Sequence, residues 1–155
     1  MTTITLIRHG QSQFNISIDT TNPNLINCPL TEYGIIQSNN LTFEFDLLIL
    51  SPLKRAQQTF THSNIKCKNV ITNDLFREYK TNICDFLETE EPNYETETQF
   101  LNRIRQAKTY IKSLNYKNIG IITHGDFIWY FTSHTVDNER FGTWLHNAEH
   151  TQINI

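Results

Sequence analysis

Two histidines stand where this chain could do chemistry, and each is followed by glycine. Arg8-His9-Gly10 closes the apolar run Ile4-Thr5-Leu6-Ile7, and His124-Gly125 closes Ile119-Gly120-Ile121-Ile122-Thr123. Short runs of this kind read as buried strands. In an open α/β sheet the carboxyl ends of parallel strands border the ligand crevice, so the two imidazoles are expected to face each other across one site. A glycine directly after each histidine suits a sharp strand-to-loop turn where backbone approaches a ligand closely. The chain has only five glycines and uses two in this way. The pattern suits phosphoryl chemistry on imidazole.

The elements that must position these residues follow from hydrophobic patterning. Residues 3–8, 46–50, 69–72 and 118–123 read as strands. Thr31 is placed to cap a helix from Glu32, Pro52 suits the first turn of a second helix to about His62, and Thr96 to Leu114 carries apolar residues at helical spacing. Alternating strands and helices predict an α/β three-layer α/β/α sandwich with a mostly parallel central sheet, and Thr151 to Ile155 alternates like an edge strand. Residues 16–29 and 80–94 read as loops over the crevice, where specificity would reside.

A length of 155 residues predicts a single domain over 1–155. The net charge of −3 carries no footprint for nucleic acid or an anionic membrane. Three cysteines without CxxC spacing argue against a disulfide framework or a thiolate zinc site, and set the chain in a reducing compartment. No leader-like or membrane-spanning apolar run is present, which makes a cytoplasmic protein the expectation. His146 and His150 are spaced i,i+4 but lack a third ligand, so no metal and no cofactor are expected. The aromatics Trp129, Tyr130, Phe131 and Trp144 suit either core or interface, leaving monomer and homodimer both open.

Four segments then line up in order: Leu6 to Asn15 (LIRHGQSQFN), Pro29 to Gly34 (PLTEYG), Ser51 to Thr59 (SPLKRAQQT) and Ile121 to Gly125 (IITHG). Together they resemble the histidine phosphatase superfamily in its phosphoglycerate-mutase-like branch. The resemblance implies His9 as the phosphorylated nucleophile, Arg8, Arg55 and His124 as phosphate binders, and Asn15 as a further contact. Glu78, in Leu75-Phe76-Arg77-Glu78-Tyr79, matches the region that carries the family's catalytic glutamate and is the expected general acid. Lys80-Thr81-Asn82-Ile83 stands where the family often has a glycine shortly after that glutamate, which puts the loop geometry in question.

Each implied role has a physical requirement. His9 attacks only as neutral imidazole, so one ring nitrogen must hold its proton toward an acceptor such as a backbone carbonyl. Adjacent Arg8 and Arg55 disfavour the imidazolium. Arginine forks match the equatorial oxygens of a transferring phosphoryl group, and with a charged His124 they would stand in for a metal ion. Glu78 needs its pKa raised by burial or a neighbouring anion, against the nearby positive groups. Asp126 is read as a helix N-cap. Glu97 is read as a helix-start acid, and Arg103 is given no role in the chemistry.

The expected activity is metal-independent hydrolysis of a small phosphomonoester through a phosphohistidine on His9. Phosphoglycerate-mutase-type transfer and a non-catalytic phosphate-binding or interaction protein are the alternatives. Few basic residues lie near the loops, chiefly Arg77 and Lys80, which hints at a substrate without many further phosphates.

Overall fold

The computed structural model describes all 155 residues. Strand β1 (Thr3–Arg8) is followed by α1 (Glu32–Asn39), β2 (Glu44–Leu50), α2 (Lys54–Thr61) and β3 (Lys66–Thr72). Then come α3 (Glu97–Ser113), β4 (Asn118–Thr123), α4 (Gly125–Phe131), the short strands β5 (His134–Val136) and β6 (Glu139–Phe141), and β7 (His150–Asn154). The main sheet has the order β3-β2-β4-β1-β7, with β7 antiparallel to β1 and every other pair parallel.

Side-chain alternation divides the core between the two sheet faces. Ile4, Leu6, Leu47, Ile49, Ile119 and Ile121 pack with α3 and α4 through Phe100, Ile104, Ala107, Phe127 and Ile128. Ile7, Leu48, Leu50 and Ile122 face the other way, toward Ala56 of α2 and the flanking Leu41 and Ile65. The central strands are therefore apolar on both faces, as a sheet covered on both sides requires. This is the expected three-layer sandwich.

Two strands begin earlier than the apolar runs indicate, at Glu44 and Lys66. β3 is an edge strand, and its first residues Lys66, Lys68 and Asn69 stay polar because half of it meets solvent. The β5–β6 hairpin lies outside the sequence expectation. Asp137 and Asn138 turn it with φ of 51° and 65°, the left-handed pair of a two-residue hairpin turn that Asp and Asn tolerate. The loops at 16–29 and 80–94 hold only short 3-10 turns, Pro23–Leu25 and Ile83–Asp85. No helix is long and apolar enough to cross a membrane.

Candidate active site

Parallel pairing of β1 and β4 sets Arg8 opposite Thr123, so His9 and His124 leave the sheet side by side. Their ring centroids are 5.1 Å apart. His9 Nδ1 lies 2.6 Å from the Gly10 carbonyl. A carbonyl only accepts, so Nδ1 carries the proton and Nε2 keeps its lone pair. Arg55 Nε donates to that Nε2 at 3.2 Å. Burial, followed by the charges of Arg55 and Arg8, holds His9 well below the usual imidazole range.

Arg55 comes from the first turn of α2 and is almost fully buried. Its Nη1 donates to the Cys84 carbonyl at 2.8 Å and its Nη2 to Asp85 Oδ1 at 2.9 Å. Arg8 donates Nη1 to the Leu145 carbonyl at 2.9 Å, lies over the Trp144 ring, and leaves Nε buried without a partner. Gly125 permits that stack: a Cβ there would fall 2.9 Å from Trp144 Cη2 and 3.2 Å from Arg8 Cζ. Asn15 Oδ1 accepts from the Ser12 amide and hydroxyl and from Asn147 Nδ2, which orients its own amide nitrogen away from those donors.

His124 is fully buried, with Nε2 2.7 Å from Ser51 Oγ and Nδ1 without a partner. Burial and the neighbouring Arg55 hold it well below the usual imidazole range. The expected charged His124 is thus corrected to a neutral one, because a dry imidazole beside an arginine does not keep a second proton.

Glu78 follows the 3-10 turn Asp74–Phe76. Its Oε1 accepts the amides of Tyr79 and Phe127 at 2.8 and 2.9 Å, and its Oε2 accepts the Asp126 amide at 3.1 Å. Three N–H donors favour the carboxylate, yet burial and then Asp126 and Asp85 push its pKa up to about 8. The positive groups expected to oppose this are mostly silenced, since both imidazoles are neutral and Arg55 is paired with Asp85. Arg103 braces the segment from α3, donating to the carbonyls of Leu75, Arg77 and Glu78 while paired with Glu95.

Asp126 is the second residue of α4 and not its N-cap, which is His124. Its carboxylate borders the cavity, and burial first, then Asp85, raises its pKa. Arg77 is likewise corrected: it is buried against Glu90, Asp74 and the Asp85 carbonyl, and does not face a substrate. His146 and His150 are both exposed, one in a loop and one opening β7, so their i,i+4 spacing is not helical.

Arg8, His9, Asn15, Arg55 and Glu78 all line one cavity of about 170 Å³, whereas His124, expected as a phosphate binder, is fully buried and is not among the lining residues. No three His, Cys, Asp or Glu side chains lie close enough to hold a metal ion. Residues 4–94, more than half of the chain, match the model of the histidine phosphatase superfamily, branch 1. The chain belongs to this superfamily. No curated protein matches it significantly.

Among solved structures, this histidine phosphatase superfamily member is similar to a putative α-ribazole-5′-phosphate phosphatase from Escherichia coli. Identity is 21% over 84% of this chain and 77% of that one, with a TM-score of 0.64. A phosphoglycerate mutase from Thermus thermophilus matches at 20% identity, over 84% and 82% of the two chains, with a TM-score of 0.58. A mycobacterial glucosyl-3-phosphoglycerate phosphatase matches at 16% identity, over 97% and 89%, with a TM-score of 0.61. Identities this low show the shared fold.

Sequence reasoning missed Ser51, Asp85, Arg103, Trp144 and Asn147 as parts of the site. Ser51 sits in the SPL segment and was within reach. Trp144 and Asn147 arrive from a tail with no local pattern, and only the return of the chain to β7 brings them to His9 and Arg8.

Proposed function

We propose that this chain is a metal-independent phosphomonoesterase that works through a phosphohistidine on His9. The observation that carries the reading is that Nε2 of the tautomer-fixed His9, met in the resting structure by the Arg55 Nε–H, borders the same cavity as Glu78, whose pKa is pushed up to about 8.

In the first step His9 Nε2 forms a bond to phosphorus as the ester P–O bond breaks, and Glu78 gives its proton to the leaving oxygen. Arg55 turns its Nε–H from Nε2 onto a phosphoryl oxygen, and Arg8 supplies a second fork. In the second step the Glu78 carboxylate takes a proton from water, whose oxygen attacks phosphorus as the P–N bond breaks. Inorganic phosphate leaves, and both residues return to their starting state.

Hydrolysis of p-nitrophenyl phosphate in excess chelator tests this, with wild type beside His9→Ala. Chelator-resistant turnover, an acid-labile phosphoenzyme and loss of both in the variant are expected. Turnover that survives in His9→Ala, or stops with chelator, sinks the reading. Transfer of phosphate from one hydroxyl of phosphoglycerate to another, without release, would replace it with a mutase.

A further inference from the structure

Three carboxylates line the cavity, those of Glu78, Asp85 and Asp126, and Asp85 is the one in an ion pair. Asp85 ends the 3-10 turn of the 80–94 loop and is 1% exposed. Its Oδ1 accepts from Arg55 Nη2 and from the Cys84 thiol, and its Oδ2 accepts the amides of Thr81 and Asn82 at 3.2 and 2.9 Å. Its carbonyl is held in turn by Arg77. The carboxylate is therefore built into the loop and cannot swing aside when an anion arrives.

Arg55 has five N–H donors, and the resting structure uses three of them, on His9, Cys84 and Asp85. One hydrogen on each terminal nitrogen is left for phosphoryl oxygens. Of the pocket's two arginines, only Arg8 is then without an ion-pair partner.

We propose that Asp85 is a positioning residue and counter-charge for Arg55. It anchors the guanidinium by Nη2 beside His9, so that Nε–H can pass from the His9 lone pair to a phosphoryl oxygen while Arg55 stays in place, and it lowers the positive potential where the phosphoryl group sits, so that product phosphate is held loosely and released. The proposal rests on the cavity being the phosphoryl site. It gives the 80–94 loop a part in the reaction besides covering the crevice.

The test is calorimetric titration of inorganic phosphate into wild type and Asp85→Asn, beside kcat and KM for p-nitrophenyl phosphate. An amide cannot accept from both the loop amides and Arg55, so the variant frees Arg55 and removes one negative charge. The phosphate Kd is expected to fall roughly tenfold, the order for one unit charge at short, partly screened range. KM should fall with it, and kcat should fall because Arg55 is no longer aimed and phosphate leaves slowly. A residue that merely braced the loop would give the opposite, weaker phosphate binding, and that result or an unchanged Kd overturns the proposal. So does a wild type that binds no phosphate.

If Asp85→Asn shows no folded circular dichroism spectrum, Asp85→Glu carries the test. It keeps the charge but displaces Arg55, so kcat should drop by roughly 10²-fold with phosphate Kd little changed. An unaltered kcat overturns the positioning role. Wild type that binds phosphate without turning over p-nitrophenyl phosphate removes the phosphatase reading alone, because the phosphate comparison needs no turnover.

Discussion

Arg55 Nε rests on His9 Nε2 at 3.2 Å, so the residue implied as a phosphate ligand occupies the lone pair of the implied nucleophile. After burial, the charge of Arg55 is the next largest influence holding His9 below the usual imidazole range, and the contact marks the spot that the phosphorus would take over.

Replacing Arg55 therefore acts on both chemistry and fold. Lysine has no planar fork and cannot reach His9, Cys84 and Asp85 together. In Arg55→Lys, kcat/KM for p-nitrophenyl phosphate should fall by roughly 10²- to 10³-fold. Arg55→Ala leaves Asp85 buried and unpaired, and urea unfolding should show a loss of about 3–5 kcal/mol.

Activity should be lost on the alkaline side. Glu78 titrates at about 8 and must be protonated for leaving-group departure, while His9 stays neutral well below its usual range. The rate on an alkyl phosphate should be flat across mildly acidic pH, fall to about half its plateau near pH 8 and decline further above it. Glu78→Gln should cost that substrate more than p-nitrophenyl phosphate, whose leaving group needs less help from an acid. A pH–rate profile for both esters checks this, and an alkaline limb that survives in Glu78→Gln contradicts it.

Stability should peak near pH 6 to 7. Glu78 has its folded pKa raised above 4.5, so its contribution is complete below that value and is lost as pH rises toward 8. His9 and His124 are depressed below 6.5, so theirs is complete above 6.5 and is lost as pH falls below it. Below pH 6.5 the two deeply depressed histidines outweigh the raised carboxylates Glu78 and Asp126, and above it the histidine contribution is constant and Glu78 leads the fall. Thermal unfolding followed between pH 5 and 9 should trace this dome, and a midpoint that rises steadily to pH 9 would contradict it.

Much of the frame was legible because it is local. The apolar runs at Ile4–Ile7 and Ile119–Ile122 specify neighbouring buried strands, and strand ends fix where His9 and His124 emerge. The edge strand β3 was half hidden because exposure lets its outer residues be polar. The charge state of His124 was not legible, since it follows from complete burial and then from Arg55, which is distant in sequence and adjacent in space. Asp85 reads as one of many acids between Lys80 and Tyr94, and only the folded loop aims it at Arg55. Arg103 carried the same ambiguity: helical periodicity puts it on α3 but says nothing of the three carbonyls it gathers behind Glu78.

Gly125 offers a test of the pocket wall that leaves the histidines in place. A methyl group there meets Trp144 at 2.9 Å and Arg8 at 3.2 Å, and Trp144 is half exposed and able to move. Gly125→Ala should push the indole outward and unseat Arg8 from its stack, raising KM for p-nitrophenyl phosphate by roughly tenfold, the scale of one weakened charge-assisted contact. Tryptophan emission should shift to the red as the ring enters water. Adding Trp144→Ala clears the steric conflict, so the double variant should recover part of the lost KM, a non-additivity expected of residues in contact. Strictly additive losses would show that Gly125 serves the turn after β4 and not the seating of Arg8.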